Sequence, residues 1–180
     1  MYSSIFDLSR VEAGYLAAAS LGLFTLGRFA IPYFFIDRIG GNSSLVIRAA
    51  AQLGAAGVLA ALPSLARADN TAGFVVLKSI HGLLFAVSAS VSAAMGVQLF
   101  GSNSLITIMA PGWIFYGVAA AAGPIVAYCV SQNRVYRGKS EAGAYNPFFY
   151  AAAGLSFGNF LLIGTMGCLE RRALAAERAS

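Results

Sequence analysis

Five long apolar stretches dominate this chain and limit what it can fold into. Each stretch is long enough to cross a bilayer, which takes about 20 apolar residues. Apolar and small residues lie on all sides of each stretch, as in lipid-embedded helices, and not on one stripe. We therefore predict a single all-helical membrane domain, a bundle of five transmembrane helices followed by a charged surface tail. The predicted helices span about 13–36, 44–65, 73–100, 105–130 and 146–169, and the tail spans 170–180.

The composition excludes several classes of protein. Of the 180 residues, 58% are hydrophobic and 11% are charged, whereas soluble domains have about 45–50% apolar and about 25% charged residues. These values exclude a water-soluble enzyme, a disordered tail and a disulfide-rich secreted module. The net charge of +5 comes mainly from basic residues in the gaps between apolar stretches, where membrane proteins keep them. We therefore expect contact with the lipid bilayer and no binding of nucleic acid.

One arginine lies inside the first apolar stretch. Arg28 is about two thirds of the way along it, and an arginine near the centre of a membrane helix costs about 2.5–3.5 kcal/mol. The side chain either contacts a substrate anion or extends to the membrane edge that Asp37 and Arg38 mark.

A second pair of basic residues lies in the third stretch. Lys78 and His81 are three residues apart and share a helix face. The pair could bind an anion or relay a proton. Alternatively, Lys78 reaches the headgroups and His81 forms a hydrogen bond with a neighbouring helix.

The chain lacks the residue patterns of catalysis. It offers no nucleophile–base pair, carboxylate pair, phosphate-binding loop or metal-ligand cluster. We therefore predict that it is not an enzyme and has no catalytic residues and no metal site. We expect no cofactor beyond bound lipids, and no ligation of haem or chlorophyll by His81, because this single histidine has no second ligand at a suitable spacing.

Small and aromatic residues predict helix contacts and membrane edges. Gly154 and Gly158 form a GxxxG pattern, which lets helices approach closely in lipid, and Gly123-Pro124 interrupts the fourth stretch. We expect these four residues to serve packing, with the small-residue faces contacting other integral membrane subunits. An aromatic cluster at the start of the fifth stretch predicts an interfacial belt; it consists of Tyr145, Phe148, Phe149 and Tyr150.

Several motifs in order resemble the major facilitator superfamily of transporters. Gly27-Arg28 followed by Asp37-Arg38-Ile39-Gly40 is similar to the helix and gating-loop signature of that family. Later motifs resemble the C-terminal half of monocarboxylate or oxalate–formate type members: Phe100-Gly101-Ser-Asn103, Tyr116-Gly117, Gly123-Pro124 and Gly143-Ala-Tyr145-Asn-Pro-Phe148-Phe149. The resemblance covers about 9–170. It implies half of such a bundle, helices eight to twelve of twelve, with Asp37, Arg38 and Gly40 at gating-loop positions.

The chain also departs from that family. Tyr33 stands where the family has a glycine, and Gly41 and Asn42 stand where it has basic residues. The first half and the seventh helix have no counterpart, although alternating access in this fold moves one half against the other.

We therefore expect a non-catalytic accessory subunit of a larger membrane complex, in a mitochondrial or plastid energy-transducing membrane. The alternatives are a half-transporter that pairs with a second polypeptide and moves a small organic anion, and a fragment of a full transporter. Basic residues divide five to five between the two sides, so the sequence leaves the orientation open.

Overall fold

The secondary structure consists of helices. A computed structural model describes residues 6, 8–31, 33, 43–101, 105–138 and 140–179, and within these ranges no strand is present. Each predicted stretch corresponds to one long helix, which confirms the all-helical class. The helices are α1 (Arg10–Ile31), α2 (Ser43–Arg67), α3 (Thr71–Phe100), α4 (Leu105–Tyr136), the short α5 (Glu141–Ala144) and α6 (Asn146–Ala179).

Three of these helices are long and apolar enough to cross a membrane. The candidate spans are Ser44–Arg67 in α2, Thr71–Val97 in α3 and Asn146–Leu169 in α6. This result, which rests on length and hydropathy, fits an integral membrane protein. Five crossings stay a prediction.

Four of the long helices lie side by side in an open row. In the described part of the chain, α3 packs between α1 and α2, and α2 packs between α3 and α6. The order across the row is therefore α1–α3–α2–α6. Because a row one helix thick has two open faces, large apolar side chains stay exposed on it; Phe29 on α1 is 75% exposed and Leu155 on α6 is 74% exposed.

Helix α4 lies largely apart from this row. The turn at 101–104 predicts that α3 and α4 form an antiparallel hairpin, yet the described residues of the two helices make few contacts. Ile114, Val118 and Ile125 of α4 are all more than 60% exposed. The helical backbone continues through Pro111 and Pro124, so the prolines do not divide the helix.

A buried cluster closes one end of the row. The rings of Phe6 and Phe149 both contact the ring of Phe74 edge-on, at centroid distances of 5.0 and 5.9 Å. This Phe74 cluster joins the start of α3, the start of α6 and the end of α2; its members are Phe6, Leu59, Leu62, Ala66, Phe74, Phe149 and Ala153. Phe149 is therefore a core residue, and the interfacial belt stays a prediction.

The connection between α2 and α3 is a tight turn. The backbone N–H groups of Asp69 and Asn70 donate to the carbonyls of Ala66 and Leu65, which is the hydrogen-bond pattern of a Schellman cap. Asp69 adopts φ 52°, and the side chain of Asn70 then accepts from the backbone N–H of Gly73 at 2.8 Å. These bonds end α2 and begin α3 within three residues, so the two helices run antiparallel.

Glycines let α1 approach α3 closely. A Cβ atom added at Gly27 would lie 2.6 Å from Leu83 Cδ1 and 3.3 Å from Ala86 Cβ. Further along, the hydroxyl of Ser90 donates to the backbone carbonyl of Arg28 at 3.2 Å. Since contacts advance in the same direction along both helices, α1 and α3 run parallel.

We predict that Gly27→Val lowers the stability of the protein. The added side chain overlaps Leu83 and Ala86, and overpacking of this kind costs about 1–3 kcal/mol. The measurement is the thermal unfolding midpoint in mild detergent. Gly22→Val is the matched control, because nothing lies within 4 Å of a Cβ atom at Gly22 and both changes replace a glycine in the same helix. Equal losses in the two variants would contradict the predicted contact.

Candidate functional site

Polar side chains meet between α2 and α3 in an otherwise apolar contact. Arg48 and Gln52 lie four residues apart on α2, and thus on one face. On α3, Ser88, Ser92 and Met95 follow the same helical spacing. We call these five residues the α2–α3 polar cluster.

Hydrogen bonds hold the inner part of this cluster. The Gln52 side-chain N–H donates to Ser88 Oγ at 2.8 Å, and the Ser92 hydroxyl donates to the Ser88 carbonyl at 2.7 Å. Ser88 is buried, only 4% exposed. Because hydrogen bonds between helices are favourable in an apolar surrounding, the Gln52–Ser88 bond fixes the register between α2 and α3.

The guanidinium of Arg48 has a weak partner. Its Nη1 lies 3.6 Å from the sulfur of Met95, and a thioether is a poor acceptor. Its Nε is buried and forms no hydrogen bond with any described residue. Two other buried polar atoms in the described part are also unpaired, Arg134 Nε and Asn146 Oδ1.

The structure brings Lys78 and His81 together. Lys78 Nζ lies 3.5 Å from His81 Nδ1, and both side chains are half-buried on α3. The described residues include no carboxylate that pairs with Lys78. Because the two groups face each other, the pair can share a proton or present two donors to an anion.

Arg28 lies elsewhere along the row. Its backbone carbonyl is level with Ser90, nine residues beyond His81 on α3, a distance of about 13 Å along a helix. The side chain of Arg28 is exposed, and no contact joins it to Lys78 or His81 in the described part. The three predicted substrate-binding residues therefore do not form one contact cluster.

The other predicted residues divide into two groups. Asp37, Arg38 and Gly40 of the gating-loop motif lie outside the described residues. Gly123 and Pro124 lie in α4, where the side chain of Pro124 is also outside the description. Nothing lies within 4 Å of a Cβ atom added at Gly123, Gly154 or Gly158, so no described residue covers the Cβ position of these glycines.

The glycine pair of α6 faces away from the row. The buried residues of α6, Phe149, Ala153 and Ile163, lie on the face that packs against α2. At 100° per residue, Gly154 and Gly158 lie on the opposite face. A shallow hollow of about 470 Å³ continues along α6, bounded by Phe160, Leu161 and Leu169.

The described residues offer few other reactive groups. Among them, no group of three or more histidine, cysteine, aspartate or glutamate side chains could hold a metal ion. Cys129 and Cys168 are free thiols at the surface of the chain.

The α2–α3 polar cluster is the feature that sequence reasoning misses. Within the second apolar stretch, Arg48 is only a charge near the start, and Gln52 is a single polar side chain among apolar ones. A signal was present: polar residues four apart in two consecutive apolar stretches, at Arg48 and Gln52 and at Ser88 and Ser92, predict matching polar faces.

Comparison of this chain with models of protein families, with curated proteins and with solved structures finds no match in any of the three.

We predict that the Gln52–Ser88 hydrogen bond couples α2 to α3. Ser88→Ala leaves the Gln52 amide without its acceptor, which destabilises the protein, whereas Gln52→Met together with Ser88→Ala removes both partners and recovers much of the loss. Unfolding free energies of the single and double variants give a coupling energy of about 0.6 kcal/mol, typical of bonds between membrane helices. Additive losses would show that the bond does not contribute.

Proposed function

We propose that this chain is a non-catalytic integral membrane subunit that packs against the helices of partner subunits in a larger complex. In this reading its five long helices all cross the membrane, and its fold derives from the C-terminal half of a major-facilitator-like bundle. The observation that carries the proposal is the open row α1–α3–α2–α6, whose two faces bear exposed apolar and small side chains.

The outer face of α6 is better suited to contact with a partner helix than to contact with lipid alone. Gly154 and Gly158 have open space in front of them, and glycines four apart let the backbone of a second helix approach closely. Lipid chains, in contrast, cover a helix face whether or not it carries small residues at helical spacing. The small-residue face of α6 is therefore the proposed docking surface.

The resemblance to a transporter half supports the same reading. Alternating access in that fold requires two halves around a central site, and the motifs quoted above resemble those of one half. A half-bundle retained as a packing element needs no gating loop, which agrees with Gly41 and Asn42 in place of basic residues. We place the complex in an energy-transducing membrane of a mitochondrion or plastid, where large assemblies of membrane subunits occur.

The proposal predicts stoichiometric co-purification with other membrane proteins. The native chain is solubilised in mild detergent, resolved on a native gel, and its companions are identified and counted by mass spectrometry. We expect Gly154→Leu combined with Gly158→Leu to release the chain from the complex, because both side chains fill the space where a partner helix would lie.

Gly22→Leu is the control for that experiment. It adds the same side chain at an uncovered glycine of α1, at the opposite edge of the row from α6. We expect this variant to stay in the complex. Migration of the native chain as an isolated monomer would contradict the proposed function, and release by both sets of variants would contradict the proposed surface.

A second candidate function is a half-transporter for a small organic anion that pairs with another polypeptide. The contact between Lys78 and His81 favours it, since two basic side chains lie half-buried in a candidate span. With Arg28 as the anion contact, Arg28→Ala abolishes uptake of a labelled monocarboxylate by reconstituted vesicles, while Arg67→Ala at the Phe74 end leaves it unchanged. Undetectable uptake by the unmodified protein, or equal uptake by both variants, would eliminate this function.

A further inference from the structure

We infer that the α2–α3 polar cluster binds an oxyanion at Arg48. The chemistry is that of a phosphate or carboxylate group, supplied either by the headgroup of an acidic lipid or by a small anion in solution. This site is separate from the docking surface on α6 and from the pair Lys78 and His81, so it goes beyond the proposed function.

The unmet hydrogen-bonding capacity of Arg48 points to this ligand. A guanidinium has five N–H donors and no acceptor, and the only described partner of Arg48 is the sulfur of Met95 at 3.6 Å. Its Nε is buried and has no hydrogen-bond partner among the described residues. No carboxylate of the described residues forms an ion pair with it. A charged side chain in a membrane span pairs with another group or reaches the membrane surface, and an oxyanion that accepts two parallel N–H bonds matches a guanidinium best.

Neighbouring groups hold the arginine in place and extend the site. Met95 contacts Nη1 from α3, and the Gln52–Ser88 hydrogen bond lies one turn further along the same contact. The Gln52 amide has two N–H donors, of which Ser88 takes one. The guanidinium and the second amide N–H are therefore donors from one helix face, close to where α2 and α3 meet.

The depth of Arg48 suits an anion at the membrane surface. The candidate span begins at Ser44, so Arg48 is four residues, about 6 Å, inside it. A long arginine side chain reaches headgroup level from that depth. Arg48 is half-buried, and its Nε is shielded from solvent.

Arg67 at the other end of α2 provides a comparison within the same helix. Its Nε donates to the Pro63 carbonyl at 3.3 Å, and its Nη2 donates to the Tyr150 hydroxyl at 3.4 Å. Two protein oxygens thus accept from Arg67, whereas a thioether faces Arg48. The difference distinguishes Arg48 as the arginine of α2 to which the described residues offer no oxygen acceptor.

The test is a ligand titration followed by thermal unfolding. The full chain in mild detergent is titrated with phosphatidylglycerol, with phosphatidylcholine and with inorganic phosphate. We expect a saturable rise in the unfolding midpoint with an anionic ligand and none with phosphatidylcholine. Stabilisation by phosphatidylglycerol alone identifies a lipid headgroup as the source, and stabilisation by inorganic phosphate identifies a free anion.

Variants of Arg48 and Arg67 test whether the stabilisation by the ligand arises at Arg48. Arg48→Gln raises the half-saturating ligand concentration at least about tenfold, as expected for a lost charge-assisted hydrogen bond, whereas Arg67→Gln leaves it unchanged. If Arg48→Gln does not fold, Arg48→Lys serves instead, because it keeps the charge but loses the two parallel N–H bonds, and a severalfold weaker response is expected. No stabilisation by either anion, an unchanged response of the Arg48 variants, or an equal loss in Arg67→Gln would overturn the site.

Discussion

The contact of α2 with its two neighbours is the interaction on which the rest of the row depends. Helix α2 packs against α3 on one side and against α6 on the other, and it contributes many of the buried side chains, among them Leu45, Ala51, Ala55, Leu59 and Leu62. Small residues make this closeness possible: a Cβ atom added at Gly54 would lie 3.2 Å from Leu84 Cδ1. In lipid, where no hydrophobic force draws helices together, such close packing and the Gln52–Ser88 bond supply the stabilisation.

The presence of each long helix could be predicted from the sequence. The residues at which the helices begin and end could be predicted less well. An apolar stretch of 20 or more residues must satisfy its own backbone in lipid, so it becomes a helix whatever its neighbours are. The ends follow from local chemistry: Asn70 starts α3 through its side chain, and Gly101 ends it with φ 77°. Helix α4 instead continues to Tyr136, six residues past the predicted boundary, because the polar residues after Val130 prolong a helix as readily as they begin a loop.

The candidate sites could be predicted only where one helix contains them. Lys78 and His81 share a helix turn, so their spacing alone places them together. Arg48 contacts Met95 only because α2 and α3 run antiparallel in one particular register. That register cannot be predicted from a single sequence. Phe149 shows the same limit. Its place in an aromatic run suggests the membrane edge, whereas its burial depends on Phe74 from another helix.

Apart from the Phe74 cluster at one end, a row of helices one layer thick has no common interior, and this determines how it can come apart. Each helix is stabilised chiefly by the neighbours beside it, so the total stability resembles a one-dimensional sum of pairwise terms, as in solenoid proteins. Helix α1, which in the described part of the chain packs mainly on α3, can separate with little effect on the contact of α2 with α6. Helix α1 would then separate first, and the cooperative unit would be α2, α3 and α6, which the Phe74 cluster joins.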